Sequence, residues 1–456
     1  MQISGQSIAS FGLQATPKVE KVNVIDLRVP TSDTLLGSDP FHKKPNYSAV
    51  LTTLETDTGH IGISVAFTAG AGNDWIAYGV KDLAQLVVGM DVGSFITDPG
   101  EFHRLLVDHH QLRWLADGVN RMAIGSIVNA MWDVWAKLVD KPLWKLLVDL
   151  PPEKIVQSID WRYLRDALTP HEALEILNRH WDSRETREQT LHKQGPKAYS
   201  TAGWLGLTDE QIIETIDQVK AAGLDCFKMK VGQDLDFDKE RLAFIREAIG
   251  PEARLMLDSN QIWGVDEAIA YMEELAVFKP TWIEEPTARD DVLGFVKIAR
   301  ALEKHGIGVA TGEQVPSPVI FKQLITSGAI QYCQIDATRL GGVNDVLAVI
   351  LMAAKYNTPV CPHGGGIGLC NMIQHYAIWD QICVAAHSGT QVVEYLNFLQ
   401  EEVFLHPIRV HNGAYVTPIT PGWGLEMYPD FVEQHTYPTG SIWQGREASG
   451  GITFLA

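Results

Sequence analysis

The second half of this 456-residue chain repeats short β-rich runs between amphipathic helical stretches, and that repeat limits the fold more than any other feature. The runs are CFKMK (226–230), RLMLD (254–258), TWIEE (281–285), GVATGE (308–313), QYCQID (331–336), PVCPH (359–363) and QVVEYL (391–396). They end on Lys230, Asp258, Glu284 (or Glu285), Glu313, Asp336, His363 and Glu394, spaced 28, 26, 29, 23, 27 and 31 residues apart. A near-constant βα unit implies a parallel sheet with right-handed crossovers, since antiparallel neighbours need only a tight turn. The helices between carry their own boundaries. One opens on a capping box, Thr208 with Gln211, turns Ile212, Ile216 and Val219 to one face and stops at Gly223. A further strand expected at Ile155–Trp161 brings the count to eight, so an α/β fold of the (β/α)8 type is expected over residues 151–400. A doubly wound sheet is the alternative. It calls for a glycine-rich phosphate turn after the first strand, and none is visible.

The flanks read differently. Residues 21–150 form an α+β capping domain, with strands at Val22–Arg28 and Ser48–Glu55 and helices at Trp75–Val88, Gly100–Leu106 and Ala123–Leu138. The polar stretch Asp182–Ala202 reads as a loop inserted between the first two barrel units. Residues 401–456, rich in Pro, Gly and Trp, are expected to pack back on the capping domain, and residues 1–20 are an extension and a candidate for disorder.

Composition narrows the function. The net charge of −19 repels phosphate backbones and anionic membrane surfaces, which argues against a nucleic-acid binder, and an anionic substrate would need a local cationic site. The N-terminus does not read as a secretory signal, and no 18-residue apolar span suggests a membrane helix. Five cysteines without metal-type spacing (Cys226, Cys333, Cys361, Cys370 and Cys383) fit reduced, buried thiols in a cytoplasmic protein.

Active sites of parallel barrels lie at the C-terminal strand ends, where this chain places its ionisable residues. Asp258, Glu284 and Glu313 close three consecutive strands, and three hard oxygen ligands with open positions suit Mg2+. Glu285, one position on, should point elsewhere by strand alternation. Lys228 and Lys230 share one strand face, with Phe227 and Met229 on the other. A neighbouring cation or metal can lower a lysine pKa toward that of a base. His363 follows Asp336 by one βα unit, so the carboxylate can orient the imidazole as a proton donor or acceptor. Glu394 either stabilises charge opposite the metal or is a paired barrel carboxylate. Together these parts describe proton abstraction beside a carboxylate.

The ordered set FKMKVG, MLDSNQ, WIEEP, ATGEQ, QIDATRLGGVN and CPHGGGIGLC resembles the mandelate racemase-like branch of the enolase superfamily. Within it, QLRWLADG, MAIGSIVNAMWDVWAK, KPLWKLL, RYLRDALTP, GWLG and PGWGLEM resemble the L-fuconate and L-galactonate dehydratases, and the likeness runs from about Asp26 to Trp443. The resemblance implies a modified (β/α)7β TIM-like barrel with an α+β cap. It implies Asp258, Glu284 and Glu313 as Mg2+ ligands, Lys230 as the base at C2 and Lys228 as its electrostatic partner. His363 with Asp336 would protonate the departing C3 hydroxyl, and Glu394 would line the site. Ser38, Asp39, Trp204 and Asn260 would contact a small acid sugar, and a homo-oligomer is expected. Ala71 before Gly72, and Ser317-Pro318 after Glu313, depart from the family pattern and leave the sugar open. The rival readings are a dehydratase of another aldonate or aldarate, a racemase or epimerase using Lys230 and His363, and an inactive binding barrel.

Overall fold

The computed structural model describes residue 13 and residues 15–115, 117–385 and 389–446, so most of the extension at residues 1–20 lies outside the described residues. Three antiparallel strands come first: β1 (Val19–Arg28), β2 (Ser48–Thr56) and β3 (Ile61–Thr68), in that sheet order. β3 has no counterpart among the expected strands. It follows β2 through a tight turn in which Gly59 takes the left-handed φ of 83° that other residues resist. The helix Val119–Leu138 packs on this sheet and is buried without a break from Met122 to Ala136.

The barrel comprises β4 (Ala198–Gly203), β5 (Cys226–Lys230), β6 (Arg254–Asp258), β7 (Trp282–Glu284), β8 (Gly308–Thr311), β9 (Tyr332–Cys333) and β10 (Val393–Tyr395), all parallel, with β10 beside β4. Residues 360–363 fill the place between β9 and β10. There Cys361 N–H donates to Cys333 (2.8 Å), His363 N–H to Ile335 (3.0 Å) and Glu394 N–H to Pro362 (3.3 Å). Eight staves therefore close the ring, the first seven each followed by a helix: the expected (β/α)7β barrel, beside its α+β cap.

Two expectations fail. Residues 155–161 hold no strand, because the helix Pro152–Gln157, which opens on a proline at its first turn, runs through residues 155–157. A short apolar run does not separate strand from helix by periodicity. The first stave is instead β4, which begins within the stretch 182–202, after the helix Arg184–Gln194, and ends one residue beyond it at Gly203. β4 reads Ala-Tyr-Ser-Thr-Ala-Gly, small and polar, yet every residue of it is buried.

Below the strand ends, Tyr199, Cys226, Met256, Trp282, Ala310, Cys361 and Val392 fill the barrel interior, so it is a packed core and not a pore. All five cysteines are buried and unpaired. The long cap helix meets the barrel at the loop after Asp336. A Cβ on Gly125 would sit 2.4 Å from the Leu340 carbonyl oxygen, so only glycine permits this approach. Asn129 Nδ2 donates to Ala337 (3.1 Å) and Trp132 Nε1 to Asn344 Oδ1 (3.0 Å) across the same junction. The C-terminal segment reaches the first strand, where Tyr437 N–H donates to Asp26 (2.8 Å) and Trp443 Nε1 to Arg28 (3.2 Å). Among the described residues no helix is long and apolar enough to cross a membrane.

Candidate active site

Alternation along β5 separates its two faces: Phe227 and Met229 join the outer core, while Cys226, Lys228 and Lys230 face the barrel interior. The parallel register then sets Lys230, Asp258 and Glu284 side by side on β5, β6 and β7. Lys228 Nζ lies 2.8 Å from Glu284, 2.9 Å from Glu394 and 3.4 Å from Asp258. Lys230 Nζ donates to Asp258 and to Asn260 Oδ1, the latter at 2.9 Å. His363 Nδ1 is 2.9 Å from Asp336 Oδ2, and its Nε2 is 3.5 Å from Glu313 and 3.9 Å from Glu394. Asp336 is itself fixed, since its other oxygen accepts from the Thr338 and Arg339 N–H groups and the Thr338 hydroxyl. Glu394 accepts from Thr201 Oγ1 and from Gly364 N–H, both at 2.9 Å.

Asp258, Glu284 and Glu313, all buried, each offer a carboxylate oxygen within 4.8 Å of the others, close enough for three ligands of one cation. Electrostatics support that fit. Burial, then Asp258, push the Glu284 carboxyl up to about 8, as expected where carboxylates crowd with too little positive charge. Glu285, also fully buried, leaves one carboxylate oxygen without a hydrogen bond while Gln261 Nε2 serves the other at 3.0 Å. Burial, then Glu313 and Asp258, hold its carboxyl well above the usual carboxylate range, a penalty on its charged form that a nearby cation would relieve. Burial opposes the charge on Lys228, yet Glu284 and Glu394 hold its ammonium well above the usual lysine range. Burial also opposes His363, but Glu313 and the Asp336 hydrogen bond outweigh it and raise the imidazole to about 9.

Above these groups lies a cavity of about 370 Å³. Lys228, Lys230, Asn260, Glu313, His363 and Glu394 line its floor, and the cap lines its roof through Tyr47, Phe67, Trp75, Val119 and Met122. Of the four expected substrate contacts, Asp39, Trp204 and Asn260 line this cavity. Ser38 does not: its hydroxyl accepts from Gly206 N–H at 2.8 Å, and it faces a neighbouring cavity. Ala71 lies on the roof, whereas Ser317 caps the helix Pro318–Thr326 by accepting from Val319 N–H. Sequence reasoning missed Thr201 because β4 read as loop. It missed the roof because Tyr47, Phe67 and Met122 carry no local signal that sets them apart from other apolar residues of the cap.

Residues 39–148 match the family model of the mandelate racemase / muconate lactonizing enzyme N-terminal domain, and residues 211–431 match that of enolase C-terminal domain-like proteins. Mitochondrial enolase superfamily member 1 of Homo sapiens is 44% identical over 94% of this chain and 97% of its own length. Its crystal structure superposes with a TM-score of 0.92, covering 94% of this chain and 98% of that one. The L-galactonate dehydratase of Hypocrea jecorina is 43% identical over 91% of this chain and 92% of its own. The L-talarate dehydratase of Polaromonas sp. JS666, solved with Mg and L-glucarate, shares the fold at 22% identity and a TM-score of 0.68, over 91% and 96% of the two chains. With both family models matched and relatives this similar over nearly its whole length, the chain belongs to the enolase superfamily, in its mandelate racemase-like branch.

Proposed function

We propose that this chain is an Mg2+-dependent acid-sugar dehydratase. It takes the C2 proton from an aldonate of the L-galactonate or L-fuconate type and expels the C3 hydroxyl, leaving a 2-keto-3-deoxy acid. The observation that carries the reading is the arrangement around one cavity: Lys230 on β5, the His363–Asp336 pair across the mouth, and the carboxylate trio on the staves between them. The relative named L-galactonate dehydratase, at 43% identity, and the Mg and L-glucarate of the Polaromonas structure support the same chemistry.

Asp258, Glu284 and Glu313 would hold the ion. When bound, Mg2+ would offset the charge that builds on the substrate carboxylate. Lys230, whose charge the neighbouring Lys228 ammonium opposes, is the group placed to take the C2 proton, and Asn260 Oδ1 holds its Nζ in place. Asp336 binds Nδ1 of His363, so Nε2 is the nitrogen left to deliver a proton to the departing C3 hydroxyl. Glu394, tied down by Thr201 and Gly364, keeps Lys228 charged.

A racemase or epimerase would use the same two residues on opposite faces of C2, and products separate the readings. Aldonates and aldarates are screened with Mg2+, with and without chelator, for 2-keto acid formation. The dehydratase reading expects 2-keto acid from an L-galacto-configured aldonate, abolished by chelation. C2 inversion without loss of water would replace it with the epimerase reading.

A further inference from the structure

The cavity contains a second histidine–carboxylate pair. His42 Nδ1 lies 3.1 Å from Asp39 Oδ2, much as His363 Nδ1 lies 2.9 Å from Asp336 Oδ2, and both imidazoles line the same space. His363 comes from the barrel, whereas His42 comes from the cap loop between β1 and β2. Asp39 is braced by its own loop, its Oδ1 accepting the N–H groups of Phe41 and His42, so the carboxylate is fixed before it orients the ring. With Nδ1 turned to Asp39, Nε2 is the free edge, and among the described residues it makes no hydrogen bond. The Asp39 hydrogen bond outweighs burial and holds the imidazole above the usual histidine range, with Glu313 adding to the rise and Lys230 opposing it. His42 is therefore within electrostatic reach of the floor.

The reacting carbons of an acid sugar must sit at the floor, between Lys230 and His363, so the rest of its chain extends toward the cap. The roof there is mostly apolar, and a hydroxyl leaving water for it without a partner is costly. Some of the polar groups around the cavity wall are already engaged, whereas His42 Nε2 is not. Thr68 donates to Asn73, Gln314 accepts from Arg289, and Arg339 Nη1 rests against the Met122 sulfur.

Building on the acid-sugar reading, we infer that His42, oriented by Asp39, is a specificity-determining residue whose Nε2 binds a substrate hydroxyl beyond C3. The pair explains why a cap loop places a braced imidazole at a mouth that already has its proton donor.

The test is equilibrium binding to the Mg2+-loaded protein in a Lys230→Ala background, which does not turn the sugar over, comparing L-galactonate with glycerate, which ends at C3. His42→Ala should weaken L-galactonate binding by about tenfold, the loss of one hydrogen bond to a polarised donor, and leave glycerate unchanged. His42→Asn, which keeps a donor and an acceptor, should recover part of the loss. Unchanged L-galactonate affinity in His42→Ala would overturn the inference, as would equal weakening of both ligands, which would mark a general structural role. If the wild type binds L-galactonate but releases no 2-keto acid, the dehydratase reading fails while these affinities still report on His42. If the wild type does not bind L-galactonate at all, both are overturned.

Discussion

On the floor of the cavity one lysine, Lys228, has three carboxylates within 3.4 Å, and all four side chains are on strands. On the roof, a few ångströms away, the walls are Tyr47, Phe67, Trp75, Val119 and Met122, supplied by a loop, a cap strand and two helices. The floor holds charge in a rigid, water-poor ring, where small displacements of a reacting group are expensive. The roof offers shape and a few hydrogen bonds. The contrast assigns the chemical step to the barrel and substrate choice to the cap, and variants on either side can break that division.

The largest effect is expected at the floor. Lys230→Ala should lower the rate of C2 proton exchange by at least about 10³-fold, as for loss of a general base, while far-UV circular dichroism shows the fold retained. Retained exchange would move the base role to His363 or elsewhere. Asp336→Asn comes next, because it frees His363 from its orienting partner. Elimination should slow about 10²-fold while C2 exchange by Lys230 continues, a split visible when both are followed in one NMR time course. On the roof the expected effect is smaller and of another kind. Trp75→Ala should raise KM for the aldonate by about three- to tenfold and leave kcat within about twofold, since apolar pocket contacts discriminate modestly. A fall in kcat as large as that of Asp336→Asn would abolish the floor and roof distinction.

The smallest effect on catalysis is expected at the cap's own buried carboxylate. Asp133 accepts from Ile63 N–H (2.8 Å) and Trp423 N–H (2.7 Å) and pairs with Lys137 at 2.7 Å, tying cap sheet, cap helix and C-terminal segment together. Asp133→Asn should cost about 1–3 kcal/mol in denaturant unfolding, because an amide cannot accept at both positions, and leave kcat and KM unchanged.

The same division explains what could be read from the sequence. β5 and β6 match the expected runs residue for residue, because inward lysines and carboxylates alternate there with buried apolar neighbours and the strand ends at its chemistry. β4 was hidden by its small polar residues, which are buried only because the barrel surrounds them, and Ile155 and Val156 served a helix equally well. The seventh stave, at 360–363, is recognisable by spacing, although its ladder is reduced to a few hydrogen bonds. His42 and Tyr47 carry no local signal of site membership. Their place depends on how Gly125 lets the cap helix close on the loop after Asp336, a contact between residues more than 200 positions apart.

The central claim is that the floor removes a proton from C2 of a metal-held acid sugar and then releases water. Proton NMR of L-galactonate in D2O with the Mg2+-loaded protein tests this most directly. The account predicts loss of the C2 proton signal as a 2-keto-3-deoxy acid appears with deuterium at C3, and arrest of both changes by chelator. Turnover that continues unchanged after complete metal removal, or product that retains the C3 hydroxyl with C2 inverted, would contradict it.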